Sequence, residues 1–235
     1  MLTGIRRGKS TVASQAPNPI FVQTENGLGR INCKKFPVSE TFESVCDNIE
    51  RLLIHDHPYQ TLVIDTLDWL ERLIWARTCR DWNVKSIELA AGGYGKGYSA
   101  AMEHWQYLLS MLDAASDKGM IVILLAHAQV ERHEDPESPA YDRYSPKLHK
   151  KSSGPLVSEW SEAVLFATRK IRVEKGEGNF KKVRARATGI GADGGDRILK
   201  CIGSPSAVAK NRFGLPYEIP LSWDAIVSNM NTNKH

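Results

Sequence analysis

The sequence predicts an α/β fold in which a mostly parallel central sheet is flanked by helices and followed by antiparallel strands. Three observations predict it. Apolar, β-branched runs recur at "IFVQT", "TLVID" and "GMIVILLAH", and they are apolar on both faces, as strands buried in a parallel sheet are. Segments with apolar residues at helical spacing separate these runs, the alternation that builds a parallel sheet covered on both sides. Shorter strand-like segments around "AVLFATRKIRV", "KVRARAT" and "RILKCIG" crowd the last third, most naturally as antiparallel hairpins.

Taken in order, "TVASQA" reads as a first helix, ended by "PNP" because proline cannot continue a helix and restricts the residue before it. The strand "IFVQT" follows. "SETFESVCDNIERLL" places Phe42, Val45, Ile49, Leu52 and Leu53 on one helical face, with Ser39 as the expected N-cap. After "TLVID" a long helix is expected from Leu67 to about Trp82, then a flexible glycine-rich connection, "AAGGYGKGYS". A further helix sets Met102, Trp105, Leu108, Leu109 and Leu112 on one face and leads into "GMIVILLAH". The six tryptophans are expected in the core, Trp69, Trp75 and Trp105 from helices. Residues 130–155 break the pattern: they are polar, hold four prolines and mixed charge, and read as a long mobile loop. No repeat or linker divides the chain, so residues 1–235 are expected to form one domain.

Composition sets the class. With 235 residues, 42% hydrophobic and 25% charged, the chain falls among ordinary globular proteins able to bury one sizeable core. Cys33, Cys46, Cys79 and Cys201 form no CxxC pair, which suggests neither a disulfide framework nor a zinc site and fits a reducing cytoplasm. The longest apolar run, Met120 to Ala126, falls far short of the roughly 20 residues a membrane span needs. Residues 143–151 carry four basic residues and no acid, and residues 169–186 carry eight against Glu174 and Glu177. With a net charge of only +4, the rest of the chain is acidic. Such runs suit a polyanion-binding face or simply a solvated surface.

The chemistry begins at "MLTGIRRGKST". Gly8, Lys9, Ser10 and Thr11 match the end of the Walker A pattern, GxxxxGK[ST]. There backbone N–H groups wrap a phosphate, the lysine neutralises its oxygens and the hydroxyl binds Mg²⁺. The first glycine of that pattern should stand at Thr3, and Gly4 is one place late. Asp65 ends the apolar strand "TLVID", where a carboxylate can hold Mg²⁺ as well as cap the next helix. Glu25 follows "IFVQT", at the sheet edge where ligands of open α/β sheets bind, and a carboxylate there can polarise a water. His55, His57, His104 and His149 have no metal-ligand spacing.

The ordered series "GKST", "SQAPNP", "IFVQTENG", "TLVIDTLDWL", "GKGYSAAMEHWQYLL", "MIVILLAHAQ" and "AKNRFGLP" resembles the RecA-like P-loop ATPases of bacteriophages. These are AAA-type phage nucleotide-binding proteins that include the Sak-type single-strand annealing ATPases. The resemblance covers nearly the whole chain. It implies a RecA-like P-loop fold that uses ATP and Mg²⁺, with Lys9 and Ser10 on phosphate and metal, Thr11 flanking them, and Asp65 as the Walker B acid. It implies Glu25 as the catalytic carboxylate and His127 or Gln129 as the polar sensor of the γ-phosphate. Lys210 and Arg212 match a Lys-x-Arg pair that reaches a neighbouring subunit's site, which implies a homo-oligomeric ring or filament. The segment after Gln129 is the expected contact for single-stranded DNA, with Arg132, Arg143, Lys147, Lys150 and Lys151 for phosphates and Tyr141 and Tyr144 for stacking. A cytoplasmic protein of a bacterium or phage-infected cell, acting in recombination or replication, is the implied setting.

Two departures qualify these expectations. Met1 to Thr3 are too few for the strand that should precede the phosphate loop, so the first core strand is expected to be missing, through a start upstream of Met1 or a damaged site. Arg6 and Arg7 replace the small or apolar residues usual in such a loop. The competing reading is therefore a DNA-annealing or scaffold protein that keeps the fold around a degenerate nucleotide site and does not hydrolyse ATP.

Overall fold

The computed structural model describes residues 1–4, 8–175, 185–189 and 195–231. Arg6 and Arg7 lie outside them. The first finding corrects the expected gap. Leu2–Gly4 is a strand, β1, in the middle of the main sheet, hydrogen-bonded in parallel on both sides. Three residues suffice because both neighbours supply ladder partners: Leu2, Thr3 and Gly4 face Leu125, Ala126 and His127 on one side and Leu165, Phe166 and Ala167 on the other.

Further parallel strands are β2 (Pro19–Gln23), the short edge β3 (Lys34–Lys35), β4 (Thr61–Asp65) and β5, which spans Ile121–Asp135. Three of them, β2, β4 and β5, follow the expected runs, and β3 has no counterpart among those runs. In β4 all five residues are buried. Leu62 and Ile64 point to one core and Val63 to the other, as a strand covered on both faces requires. One core packs under α2 (Phe42–Ile54), α3 (Leu67–Asp81) and α5 (Met102–Asp117); the other lies under α1 (Lys9–Ala13) and the C-terminal helix 223–231. Helix α2 is capped by Thr41, whose hydroxyl accepts from the Ser44 N–H at 3.1 Å. The expected cap, Ser39, is buried instead, its N–H donating to the Gln23 carbonyl at 2.8 Å. The glycine-rich connection holds a 3₁₀ segment at Ile87–Gly92 and a short helix, α4 (Lys96–Ala100). Of the tryptophans, Trp105 is buried, but Trp69 and Trp82 are exposed on or just beyond α3.

Residues 130–155 are not one long loop. β5 runs on past the core and turns into β6 (Ser138–Pro146), an antiparallel hairpin, and α6 occupies Ser153–Trp160. Three of the four prolines fit this arrangement: Pro136 sits at the hairpin turn, Pro146 ends β6, and Pro155 lies in the first turn of α6, where no N–H is needed. A second correction concerns β7 (Ala163–Arg169). It is parallel to β1 and antiparallel only to β10 (Arg197–Lys200) and to β11 (Lys210–Asn211). The strands β8 (Ile171–Lys175) and β9 (Ala185–Gly189) form a separate antiparallel ribbon, and β12 (Glu218–Pro220) closes the far edge. The sheet order β12-β10-β7-β1-β5-β4-β2-β3 puts β5 between the strand before the phosphate loop and the strand ending in Asp65. No helix among the described residues is long and apolar enough to cross a membrane.

Candidate functional site

Parallel strands point to the same edge of the sheet, so the residues that end β1, β2, β4 and β7, and His127 midway along β5, are gathered there. Between β1 and α1 stands Gly8, whose φ of 131° only glycine adopts readily. Lys9 opens α1, and its buried ammonium donates to the Gly4 carbonyl at 3.1 Å. Burial lowers the Lys9 pKa, while the charges of Asp65, Asp68 and Glu25 oppose that shift. The next residue, Ser10, donates its hydroxyl to Asp65 Oδ2 at 2.8 Å. Asp65 is buried, and burial raises its pKa; the Glu25 charge adds to this, whereas the Ser10 hydrogen bond, Lys9 and His127 counter it.

Glu25 is positioned by a lock that the sequence does not reveal. The Thr66 N–H donates to Thr24 Oγ1 at 2.8 Å, and the Thr24 hydroxyl donates to the Thr66 carbonyl at 2.7 Å. The Thr66 hydroxyl then donates to Glu25 Oε1 at 3.0 Å. His127, on β5, is fixed by a buried carboxylate in the first turn of α3: its N–H donates to Asp68 Oδ1 at 3.2 Å, and its Nδ1 lies 3.0 Å from the same oxygen. With Asp68 accepting, Nδ1 carries the proton and Nε2 is left for the cleft. That hydrogen bond raises the His127 pKa. Burial would push the Asp68 carboxyl up, but its bonds to His127 outweigh burial and hold it below the usual value.

Together these groups wall a cleft of about 740 Å³. Lys9, Ser10, Glu25, Asp65, Thr66 and His127 line one part, and Ala167, Thr168, Arg169, Arg197 and Leu221 line the rest. Among the described residues no group of three His, Cys, Asp or Glu is placed to hold a metal ion. One hydroxyl and one carboxylate already in contact, Ser10 and Asp65, nonetheless fit Mg²⁺, which takes few protein oxygens and completes its shell with water and substrate phosphates.

The other expected residues stand elsewhere. Thr11 is exposed on α1 and does not line the cleft. Gln129 lies two residues beyond His127, and its side chain donates to the Leu148 carbonyl at 3.2 Å. It lines a separate cavity of about 330 Å³ with Asp68, Glu71, Trp75, His149 and Lys150. Lys210 donates to the Ser158 and Glu159 carbonyls near the end of α6, at 3.3 and 2.6 Å, and Arg212 pairs with Glu162 at 2.9 Å. On the hairpin, Arg132 pairs with Asp142 at 3.5 Å and Arg143 with Glu131 at 3.4 Å, while Tyr144 stacks on Phe166. Lys147, Lys150 and Lys151 are exposed at the hairpin's base; Lys150 donates to the Arg132 carbonyl at 2.8 Å.

Thr24, Thr66, Asp68, Arg169 and Arg197 are the site residues that sequence reasoning misses. For the first three no sequence signal exists, because hydroxyl and carboxylate partners are set by the fold. Arg169 could have been found, since it opens the basic run that ends at Arg186.

The sequence has no match among curated proteins. A family model described as an AAA domain matches residues 4–213, a span that begins at Gly4 and takes in every residue placed in the cleft except Leu221. With that match over most of its length, the chain belongs to the AAA domain family of nucleotide-binding ATPases.

Proposed function

We propose that the protein hydrolyses ATP in this cleft and couples hydrolysis to single-stranded DNA in recombination or replication. The observation that carries the reading is the Ser10–Asp65 contact with Lys9, Glu25 and His127 around one cleft. Lys9 neutralises the β- and γ-phosphate oxygens. Ser10 and Asp65 would hold Mg²⁺, which supplies charge neutralisation on the phosphates when bound. Glu25, held by Thr66, orients a water and accepts its proton. His127, as the imidazolium that the Asp68 hydrogen bond favours, donates its Nε2–H to the γ-phosphate.

DNA phosphates would lie along Lys147, Lys150 and Lys151, the basic side chains at the hairpin base. Because β5 contains both His127 and the first strand of the hairpin, a change at the γ-phosphate has a covalent route to that surface. Lys210 and Arg212 would complete a neighbouring subunit's cleft in a homo-oligomer, after releasing the Ser158, Glu159 and Glu162 contacts they make here. The non-hydrolysing annealing reading drew its support from a missing strand and a displaced glycine; β1 removes the first support, and Thr3 still stands where the first glycine is expected.

Single-turnover hydrolysis of γ-labelled ATP, with and without single-stranded DNA, tests the reading. Glu25→Gln should slow hydrolysis about 10²- to 10⁴-fold while ATP still binds. Equal rates in the variant and the parent would sink the assignment.

A further inference from the structure

The cleft is electrically divided in a way the reading above leaves unused. Its β2–β4 end carries the carboxylates Glu25 and Asp65; its β7–β10 end carries Arg169 and Arg197. The two arginines are directly opposite one another on adjacent antiparallel strands. In such a pair the Cβ atoms stand about 4.5–5.5 Å apart and like charges are unfavourable; Arg169 has a contact of its own. Arg197 is exposed, and no hydrogen bond or ion pair holds its guanidinium among the described residues. Its Nη1 stands against the phosphate loop: a Cβ built on Gly8, the residue before Lys9, would lie 3.8 Å from it.

We propose that Arg197, with Arg169 beside it, is a nucleotide-binding residue that grips the α- and β-phosphates from the side opposite Lys9. The proposal rests on the nucleotide reading of the cleft and deepens it. Mg²⁺ and the γ-phosphate belong at the acidic end, so the chain of phosphates runs from Asp65 past Lys9 toward the arginines. The guanidinium fork matches two phosphate oxygens at once. The same polarity gives the nucleotide one orientation, since reversing it would set the metal against two arginines and leave two carboxylates facing the nucleoside. This role is fulfilled within one chain, unlike that assigned to Lys210 and Arg212.

Calorimetric titration of the full chain with ADP and with inorganic tripolyphosphate, for the parent, Arg197→Ala, Arg197→Lys and Lys9→Ala, tests it. Loss of a charge-assisted contact predicts that Arg197→Ala binds both probes about 10- to 100-fold more weakly, with Arg197→Lys intermediate. Arg197 is exposed at a strand start, so circular dichroism should show Arg197→Ala folded as the parent is. Unchanged ADP affinity in Arg197→Ala would overturn the proposal. So would weaker ADP binding with unchanged tripolyphosphate binding, because the contact would then be to the nucleoside. If the parent binds neither probe and Lys9→Ala behaves identically, the nucleotide reading itself fails and this proposal with it.

Discussion

Replacing Gly4 by alanine tests whether the first strand sits where the sheet places it. A Cβ on Gly4 would lie 2.4 Å from the Ala167 carbonyl oxygen and 2.9 Å from the Ala167 Cβ. Both obstacles are backbone or rigid methyl, so no rotamer change can relieve them. β1 cannot slide away either, because β5 is hydrogen-bonded along its other side. Overpacking of this kind costs about 1–3 kcal/mol, and the upper end applies where nothing flexible yields. Against it stands a gain of about 0.4–1 kcal/mol from the stiffer unfolded chain. The net loss is about 2 kcal/mol, which in a domain of this size lowers the melting temperature by about 4–8 °C. Gly29→Ala is the control, since nothing lies within 4 Å of its added Cβ; it should stay within about 0.5 kcal/mol of the parent. Thermal and urea unfolding read both. If Gly4→Ala melts at or above the parent's temperature, only the unfolded-state gain is operating and the three residues are not a central strand.

The remaining predictions concern His127, midway along β5, and the base of the hairpin. Asp68→Asn should return the His127 pKa toward its ordinary 6.5, followed by NMR titration of the ring; an unmoved titration would remove Asp68 as the positioning residue. Because the His127 pKa is raised in the folded state, its stabilisation is complete below pH 6.5 and fades as pH rises through the folded value. Asp68 has a lowered pKa, so its stabilisation is present above its ordinary 3.8 and fades as pH falls through the folded value. Asp68→Asn should therefore cost most stability between about pH 4 and 6.5. On the DNA side, Lys147→Ala with Lys151→Ala should weaken single-strand binding and reduce its salt slope by about 1.4, two phosphate contacts' worth. Arg132→Ala, whose partner is Asp142, should change that slope little. Equal slopes in the double variant and the parent would move the DNA surface elsewhere.

What could be read from the sequence was whatever registers as local pattern. "TLVID" became β4 residue for residue, and the helix expected from Leu67 to about Trp82 became α3 with Trp82 as its C-cap, because burial of both faces of a strand or one face of a helix leaves a periodic trace. β1 left none: its three residues take their stability from β5 and β7, which lie more than a hundred residues away. The hairpin was hidden for the opposite reason. Beyond Ala128 its strands leave the core, so residues such as Glu131, Arg132, His133 and Glu134 show no apolar alternation although they are in extended backbone. Within the cleft, Lys9, Ser10, Asp65 and Glu25 announced themselves by residue type and order. Asp68, Thr24 and Thr66 are ordinary residues made functional by who stands opposite, and Gln129, two positions from His127 on the same strand, turns away into another cavity.

The length of β5 has a mechanical consequence. From His127 to Asp135 the strand extends about 26 Å at the rise of an extended chain; the part before His127 is clamped between β1 and β4, and the part beyond it is paired with β6. It is therefore a cantilever anchored at the cleft. A tilt of about 5° at His127 sweeps the hairpin tip through about 2 Å, close to the length of a hydrogen bond. No hinge, lid or melted segment is needed for a displacement at the cleft to be felt at the hairpin tip.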